Sequence, residues 1–300
     1  MEHVRRFARD GTVPVLLEGE IGTGKTTLAR ALHELSPRCD AAFEHVVLST
    51  LDDTLASSEL LGHVPGAFTD ARRARDGRFR SAHGGSVFLD EIGKSSLAIQ
   101  NKLLHAIEYG VVRPVGADRD VRVDVRVIAA SNIPLAELVA SGAILPDLHA
   151  RIGTFSIRVP PLRERRADIA PLARHYIAVH AEGCGYSSQP EIDRDLLDAL
   201  INAPWPYNLR ELDSTIRRLL IEADGAAVLT LKHCEGPLEH LVPERCTDKQ
   251  VTLEELDAAL ARANNNVARA ALEMGMHRAT FYRKREALMR VSQADETATR

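Results

Sequence analysis

Apolar residues between positions 13 and 159 recur in short runs, and segments with helical periodicity lie between them. Continuous apolar runs of this length are typical of buried parallel strands. The runs that predict strands are residues 15–17, 46–48, 87–89 and 125–128. Residues 26–35 and 97–108 carry the helical patterns. This alternation of strands and helices predicts an α/β domain with a parallel sheet.

After Pro160 the strand signal fades and helical periodicity takes over. Helices are predicted at residues 169–180, 192–202 and 208–222, and three more from residue 251 onward. Residues 240–249 mix proline and charge without periodicity, as linkers do. We therefore predict four segments. They are an α/β domain at 1–165, an all-helical domain at 166–242, a linker at 243–252 and a second all-α domain at 253–300.

Composition narrows the class of protein without assigning a function. With 45% hydrophobic and 27% charged residues, the chain is typical of globular proteins, and its 300 residues suit two or three domains. The net charge of −4 means that any nucleic-acid surface must be local. The four cysteines are too far apart to predict a zinc site or a disulfide framework. We find neither a signal peptide nor a membrane span, and expect a cytoplasmic protein without a membrane partner.

The first chemical motif, GEIGTGKT at residues 19–26, matches the P-loop pattern between a predicted strand and a predicted helix. Its glycines let backbone N–H groups point at phosphate oxygens. Lys25 supplies a cation for the β- and γ-phosphates, and the Thr26 hydroxyl is a ligand for Mg²⁺. The alternative, a glycine-rich turn, does not account for this context. The predicted ATP contacts are Gly19, Gly22, Thr23, Gly24, Lys25, Thr26, Thr27 and, from the resemblance below, Arg210.

A second motif is the apolar strand at 86–89, which ends in two carboxylates. Asp90 can hold Mg²⁺ through water, and Glu91 can orient and deprotonate the attacking water. Asn132 ends the next predicted strand, where its amide would hold the water or sense the γ-phosphate. Without the P-loop, the simpler interpretation is that the two acids are ordinary surface residues and that Asn132 is a turn residue. Beside a P-loop, they predict hydrolysis of ATP with Mg²⁺.

These motifs and several others resemble one family, the AAA+ activators of sigma-54 RNA polymerase, also called bacterial enhancer-binding proteins. The resemblance runs from about Val13 to Met289. The segments that carry it are residues 59–71, 84–93, 102–104, 123–132, 159–165 and 205–212. It implies an AAA+ α/β domain with a helical lid, and a homo-oligomeric ring, usually a hexamer, that binds ATP between subunits. It also implies sigma-54 RNA polymerase as a partner.

The resemblance assigns roles to residues that pattern alone leaves open. Arg151 stands where the family has an arginine finger for the neighbouring subunit's γ-phosphate, although a surface arginine is the simpler interpretation. Arg210 stands in the sensor II motif of the lid. The segment GAFTDA at 66–71 is similar to the family's sigma-contact loop, which implies an exposed contact pair at Phe68 and Thr69.

The chain also departs from the family pattern at several positions. Asp70 replaces the second glycine of the contact loop, which places a charge at a permissive backbone position. Val47 stands where the family has an asparagine that switches the catalytic glutamate, and Leu145 where a second arginine is usual. Tyr207 replaces the sensor II glycine. Ile21 replaces a common P-loop serine, and Thr26 an acidic residue.

The last motif, at residues 264–288, predicts a helix, a turn at Gly275 and a second helix. Six basic and two acidic residues between positions 267 and 290 make it locally basic, as phosphate binding requires. A solvated basic helix is the alternative. The segment is similar to the Fis-type helix-turn-helix, which binds double-stranded DNA as a dimer. That similarity implies DNA contacts in the major groove by His277, Arg278, Thr280 and Arg283, and contacts nearer the DNA backbone by Lys284 and Arg285.

Two functional hypotheses follow. The first is an ATPase that binds upstream DNA, assembles into a ring and remodels sigma-54 polymerase. The ring is expected to be a hexamer built from dimers. The second is a nucleotide- and DNA-binding regulator that is independent of sigma-54 or lacks productive remodelling, such as a repressor or a mixed-ring partner. The chain begins shortly before the P-loop. We therefore expect control by a regulatory partner protein, by expression level or by a domain absent from this sequence.

Overall fold

The computed structural model describes residues 2–50, 53–69, 71–234 and 253–263, and the single positions 267, 269, 270, 274, 281 and 285. By contacts the chain divides into two units. The first is Met1–Arg165 with Trp205–Glu211, and the second is Arg166–Pro204 with Leu212–Arg300. The predicted linker at 243–252 lies outside the described residues.

The first unit is built on a parallel sheet of five strands in the order β2-β5-β8-β1-β9. Its strands are β1 (Val15–Glu18), β2 (Phe43–Val47), β5 (Ser86–Asp90), β8 (Arg126–Ser131) and β9 (Ser156–Arg158). Two antiparallel ribbons join β3 (Gly62–His63) to β4 (Arg75–Asp76) and β6 (Val111–Val112) to β7 (Val121–Arg122). The predicted parallel α/β fold is confirmed. The apolar pattern missed β9 because this edge strand is largely exposed.

Helices cover both faces of the sheet. They are α1 (Glu2–Arg9), α2 (Lys25–Glu34), α3 (Asp53–Leu61), α4 (Arg78–Ser81), α5 (Leu97–Tyr109), α6 (Leu135–Ala140) and α7 (Pro146–Ile152). Successive strand residues point to opposite faces. Leu16 and Leu89 therefore pack in the core that includes α3, α5 and α7, whereas Leu17 and Phe88 pack in the core with α1 and α2.

Strand register brings the predicted catalytic residues to one edge of the sheet. Leu89 is paired with Ala129, and Glu18 with Ser131, so β5, β8 and β1 end side by side. Polar residues that follow parallel strands meet at this carboxyl edge, where ligands of open α/β sheets bind. The sheet therefore places Gly19, which follows β1, next to Asp90 at the end of β5 and Asn132 after β8.

Arg126 is a charged residue inside a predicted apolar strand, and its side chain is fully buried. Its guanidinium donates to the backbone carbonyls of Phe7, Val13 and Leu32. Burial lowers the pKa of this guanidinium. Arg126 therefore ties α1, the approach to β1 and the end of α2 to the start of β8 by hydrogen bonds.

The second unit is mainly helical. It contains α8 (Ile169–His180), α9 (Arg194–Asn202) and most of α10 (Asn208–Glu222), followed by α11 (Leu253–Arg262). The predicted helical character of this unit is confirmed. The sequence did not predict β10 (Glu191–Ile192) and β11 (Val228–Leu229), which form a short parallel pair beside the helices. Two residues are too few to show an alternating pattern.

The start of α9 and the packing of α11 refine the prediction for the second unit. Helix α9 begins two residues later than predicted, where the Asp193 side chain accepts a hydrogen bond from Leu196 N at 2.8 Å and caps it. Phe281 and Ala270 are fully buried against α11 residues such as Leu256. These residues form a small separate core at the C-terminal end of the chain.

Candidate functional site

The P-loop connects β1 to α2 through a backbone that only glycine adopts freely. Gly22 and Gly24 have φ angles of 76° and 97°. A Cβ atom on Gly22 would lie 2.1 Å from the carbonyl oxygen of Tyr207, so the loop also needs glycine there for space. Gly24 immediately precedes the first turn of α2, where backbone N–H groups and the helix dipole favour phosphate. The P-loop geometry expected from the sequence is therefore present.

Lys25 lies at the centre of this loop and is almost completely buried. Its Nζ donates to Gly19 O at 2.6 Å, to Glu20 O at 2.9 Å and to Asn132 Oδ1 at 2.6 Å. Burial lowers the pKa of Lys25, whereas the charges of Asp90 and Glu91 raise it. The ammonium group is thus held between the loop and the acidic end of β5.

The three threonines of the loop have different positions. The side chain of Thr23 is buried, and its hydroxyl donates to Glu20 O at 2.8 Å, which closes the loop on itself. Thr26 and Thr27 are exposed in the first turn of α2. Thr26 and Asp90 together offer a hydroxyl and a carboxylate oxygen. This donor set suits Mg²⁺, which takes one or two protein oxygens besides nucleotide oxygens and water.

Glu91 is held in place by side chains from three other elements. Its backbone is left-handed, with φ 57°, an unusual conformation for a residue other than glycine. One carboxylate oxygen accepts from Asn132 Nδ2 at 3.2 Å, and the other accepts from Lys94 Nζ at 3.0 Å. A hydrogen bond from Ser49 is the main cause that lowers the pKa of Glu91, and Lys94 lowers it further. These contacts favour an ionised carboxylate.

Asn132 joins the two charged groups of the site. Its Oδ1 accepts from Lys25, and its Nδ2 donates to Glu91, so one amide fixes the distance between ammonium and carboxylate. Asp90 lies beside them, with Oδ1 accepting from Glu91 N at 2.9 Å and Oδ2 3.7 Å from His45 Nε2. The structure thus brings together Lys25, Asp90, Glu91 and Asn132, all predicted from the sequence.

Ser49 is a site residue that the sequence analysis missed. Val47, which stands where the family has an asparagine, is paired with Asp90 in the sheet. Ser49 lies two residues later, in the single 3-10 turn Leu48–Thr50, and its hydroxyl donates to Glu91. A serine just after a strand is too common to be a signal. Its role could be recognised only from the strand order, because β2, which precedes Ser49, neighbours β5 in the sheet.

A second missed residue, Asn208, lies beneath the P-loop. It is fully buried and left-handed, with φ 54°. Its Oδ1 accepts from Leu162 N at 2.6 Å, and its Nδ2 donates to Ile21 O at 2.9 Å and to a Glu20 carboxylate oxygen at 3.3 Å. Asn208 therefore ties the P-loop to the segment after Pro161.

Two arginines lie near this arrangement. Arg163 donates through both terminal nitrogens to the Glu20 carboxylate, and this contact is the main cause that lowers the pKa of Glu20 to about 2. A Cβ atom added to Gly22 would lie 3.3 Å from the Cβ of Arg210, and the positive charge of Arg210 lowers the pKa of Lys25. The structure therefore places Arg210 beside the P-loop, and its contact with a nucleotide stays a prediction.

Arg151 does not join the P-loop cluster of its own chain. It lies on α7 with its side chain 53% exposed, and its guanidinium pairs with Glu108 on α5. Among the described residues, Arg151 makes no hydrogen bond or ion pair with the P-loop residues or with Glu91. An exposed pair of this kind contributes little to stability, about 0–1 kcal/mol, so Arg151 remains accessible to a partner.

The loop between β3 and β4 contains Phe68 and Thr69. Gly66 N donates to Ala71 O at 2.8 Å, which closes the loop, and Thr69 is exposed. Phe68 is half-buried, with its ring edge-on to His63 at 4.9 Å between centroids. The expectation of an exposed pair was wrong for Phe68, because the ring packs on the base of its own loop. Asp70 lies outside the described residues.

The predicted DNA contacts His277, Arg278, Thr280, Arg283 and Lys284 also lie outside the described residues. Arg285 is described, and its Nε lies 2.6 Å from Asp257 Oδ1 on α11. This pair links Arg285 to the helix that contributes Leu256 to the small core with Phe281. In the described part of the chain, no helix is long and apolar enough to cross a membrane.

Three family descriptions match consecutive parts of the chain. Residues 1–158 match the sigma-54 interaction domain, residues 163–250 the AAA+ ATPase lid domain, and residues 250–288 the bacterial regulatory proteins of the Fis family. These matches cover the P-loop cluster, the mainly helical unit and the predicted helix-turn-helix, respectively.

Individual relatives agree with these matches. The Nif-specific regulatory protein of Azospirillum brasilense is 44% identical over 216 residues, which are 72% of this chain and 34% of the relative. The transcriptional regulatory protein ZraR of Klebsiella oxytoca is 38% identical over 284 residues, 90% of this chain and 62% of the relative. The chain thus spans between about a third and three-fifths of the length of these relatives.

Solved structures show the same architecture. NtrX from Brucella abortus in complex with ADP has a TM-score of 0.73 and 28% identity to this chain, covering 96% of it and 67% of NtrX. NtrX in complex with ATP has a TM-score of 0.70 and 29% identity, covering 96% of this chain and 66% of NtrX.

Proposed function

The chain belongs to the sigma-54 interaction domain family, and from this premise we propose that it is an ATP-hydrolysing transcription activator. In this proposal it binds upstream DNA and remodels sigma-54 RNA polymerase to open promoters. The observation that carries the proposal is the array of Lys25, Asn132 and Glu91 at the carboxyl edge of the sheet. A binding site for nucleotide needs the lysine, but only hydrolysis needs an oriented carboxylate beside it.

The proposed reaction assigns a step to each group. Lys25 and the P-loop N–H groups hold the β- and γ-phosphates, and Thr26 and Asp90 would hold Mg²⁺. When bound, Mg²⁺ supplies positive charge that offsets the charge of the phosphate oxygens. Glu91 takes a proton from water as the water oxygen attacks the γ-phosphorus and the bond to the β-phosphate oxygen breaks. Asn132 keeps the carboxylate of Glu91 in register with Lys25. ATP as the nucleotide is supported by the ADP and ATP complexes of NtrX.

We propose that the complete site forms between subunits. Arg151 is accessible and lies apart from the P-loop cluster of its own chain, so it is suited to the γ-phosphate held by a neighbour. Arg210 would contact the nucleotide bound by its own chain. A homo-oligomeric ring, a hexamer assembled from dimers, satisfies both requirements. We also propose that a regulatory partner protein is one source of control over the activity of this ring.

We propose partners for two segments of the chain. Thr69 and Phe68 in the β3–β4 loop would contact sigma-54. The helix-turn-helix that matches the Fis family would contact double-stranded DNA through His277, Arg278, Thr280, Arg283 and Lys284. Arg285 is engaged with Asp257 and is better suited to stabilising that domain than to binding a base.

Capture of sigma-54 tests this proposal. In the presence of ADP and aluminium fluoride, which mimic the transferring γ-phosphoryl group, the chain is expected to retain purified sigma-54 on a column. Thr69→Ala is expected to abolish retention, because the exposed threonine lies at the tip of the contact loop. Thr12→Ala, an exposed threonine before β1, is the matched control and is expected to retain sigma-54 normally. ATP binding without capture by the unmodified chain would contradict an activator and favour a regulator independent of sigma-54.

Removing the Ser49 hydroxyl is expected to slow hydrolysis and change its pH dependence. The Ser49 hydrogen bond lowers the pKa of Glu91, so in Ser49→Ala this pKa rises. A general base acts when ionised, and the acidic limb of the pH–rate profile therefore moves to higher pH. At neutral pH Glu91 stays ionised but loses one of the contacts that orient it. We therefore expect a loss of roughly threefold to tenfold in kcat, which corresponds to about 1 kcal/mol, the typical net contribution of one hydrogen bond.

The measurement is steady-state phosphate release over a pH range that extends from below the ordinary pKa of a glutamate to pH 9, because the pKa of Glu91 is lowered in the unmodified chain. Ser49→Thr retains the hydroxyl and serves as the matched variant, with an acidic limb close to that of the unmodified chain. An unshifted limb in Ser49→Ala would show that Ser49 does not act on Glu91.

A further inference from the structure

A cleft of about 470 Å³ lies between α5 and the segment that runs from β6 towards β7. None of the residues that line it belongs to the nucleotide site or to the proposed sigma contact. Asn101, Lys102 and His105 form its helical wall, where their spacing places them on one face of α5. The volume lies in the range of about 300–1,000 Å³ that is typical of small-molecule sites.

The interior of the cleft is apolar. Leu61, at the end of α3, and Val112 are 5% and 2% exposed and form part of its lining. Pro114, Val115 and Ala117 extend the apolar surface along the opposite wall. Contact with such a surface favours a ligand with an apolar body over a fully hydrated ion.

Of the two basic side chains at the cleft, Arg113 is paired with a carboxylate and Lys102 is not, among the residues that the structure describes. Asp120 is paired with Arg113, whose Nε lies 2.7 Å from Asp120 Oδ1. Lys102 Nζ donates to the Ser57 hydroxyl at 2.6 Å and forms no ion pair with the described acidic residues. The ring of His105 is tilted against that of Tyr109, with 5.0 Å between ring centroids, and adds a polar imidazole to the same wall. The charge that remains available to a ligand is therefore positive.

The wall of the cleft is hydrogen-bonded to the proposed sigma-contact loop. Val64 N donates to Val115 O at 3.1 Å, and Val115 N donates to Gly62 O at 2.9 Å. These bonds hold both ends of a short segment at the start of the β3–β4 loop against the cleft lining. A ligand that fixes Val115 would also fix the start of this loop.

We propose that the cleft binds a small organic anion, with Lys102 contacting the anionic group and the partly exposed surface of Pro114, Val115 and Ala117 contacting the apolar body. Occupancy restrains the β3–β4 loop through Val115. The link to sigma-54 rests on the proposed function of that loop, whereas binding itself does not. The structure of the cleft is compatible with either an aryl carboxylate or an aryl phosphate, because both combine an anionic group with an apolar body.

Binding is tested by fluorine NMR titration of the full chain with 4-fluorobenzoate and 4-fluorophenyl phosphate. Saturating ADP is present throughout so that neither probe reports on the P-loop. We expect saturable shifts with a Kd on the order of 1 mM, as for other small fragments. The neutral 4-fluorobenzamide is expected to bind at least about tenfold more weakly, because it cannot form the charged contact with Lys102.

Variants of Lys102 identify the site. Lys102→Met keeps the length of the side chain and removes its charge, and is expected to weaken binding by about tenfold or more. Lys102→Arg retains the charge and is expected to remain within about threefold of the unmodified chain. Lys232→Met removes an exposed lysine of the second unit and is expected to have no effect. Equal binding of the benzamide, or unchanged binding by Lys102→Met, would overturn the assignment.

Hydrogen exchange tests the coupling. The amides of residues 62–69 are expected to exchange about threefold more slowly with saturating 4-fluorophenyl phosphate, and to respond less in Lys102→Met. Unchanged exchange despite saturable binding would overturn the restraint of the loop. Both measurements use neither sigma-54 nor ATP hydrolysis, so their failure is distinguishable from failure of the proposed function.

Discussion

Replacing Glu91 by glutamine is expected to lower the rate of ATP hydrolysis by a factor of about 10² to 10⁴, the range that a positioned general base contributes. Glutamine keeps the size of the side chain and an oxygen that accepts from Asn132, but it cannot take a proton from water. Lys25 and the P-loop glycines are untouched, so ATP affinity is expected to stay within about threefold. Phosphate release and equilibrium ATP binding measure the two quantities separately.

Two further variants distinguish this result from general damage. Lys25→Ala is expected to lose nucleotide binding as well as hydrolysis, because its ammonium is the buried cation of the loop. Glu137→Gln changes an exposed glutamate on α6 and is expected to hydrolyse ATP normally. If Glu91→Gln kept more than about a tenth of the normal rate, another group would have to be the base.

The parts of the site that sequence predicts are those whose chemistry is encoded in contiguous residues. The P-loop and the strand that ends in Asp90 and Glu91 each combine a local backbone conformation with a functional side chain, and both can be recognised in a short stretch of sequence. Apolar runs also predict the strands that carry them, because buried parallel strands leave a continuous pattern. The order of strands in the sheet then explains why Asn132 meets Lys25, although 107 positions separate the two in the sequence.

The remaining contacts depend on geometry that no local pattern encodes. Ser49 reaches Glu91 only because a 3-10 turn follows β2. Asn208 supports the P-loop from a left-handed backbone position almost 190 residues away, as its bond to Ile21 shows. Phe68 was predicted to be exposed from its loop, but an aromatic ring near His63 gains more from packing than from contact with water. Long-range pairing and rare backbone conformations therefore limit what the sequence predicts here.

Arg151→Ala is expected to lower ATP hydrolysis by about 10³-fold, within the range attributed to arginine fingers. The variant leaves the P-loop cluster of its own chain intact, since Arg151 pairs with Glu108 rather than with any residue of that cluster. Loss of an exposed ion pair costs about 1 kcal/mol or less, so the fold and nucleotide affinity are expected to survive. Phosphate release measures the loss, and Arg9→Ala, an exposed arginine on α1, is the matched control.

Mixing two inactive variants tests whether the arginine acts on a neighbouring subunit. Glu91→Gln retains Arg151, and Arg151→Ala retains Glu91. A site therefore contains both groups when the Arg151→Ala subunit binds the nucleotide and the neighbour that supplies the arginine is the Glu91→Gln subunit. In an equimolar random ring, about a quarter of the interfaces combine a normal Glu91 with a normal neighbouring Arg151, and activity is expected to return towards that fraction. Light scattering confirms that each variant still assembles. A mixture of assembled rings that stays as inactive as its components would show that Arg151 does not complete the site of a neighbour, because only action between subunits permits complementation.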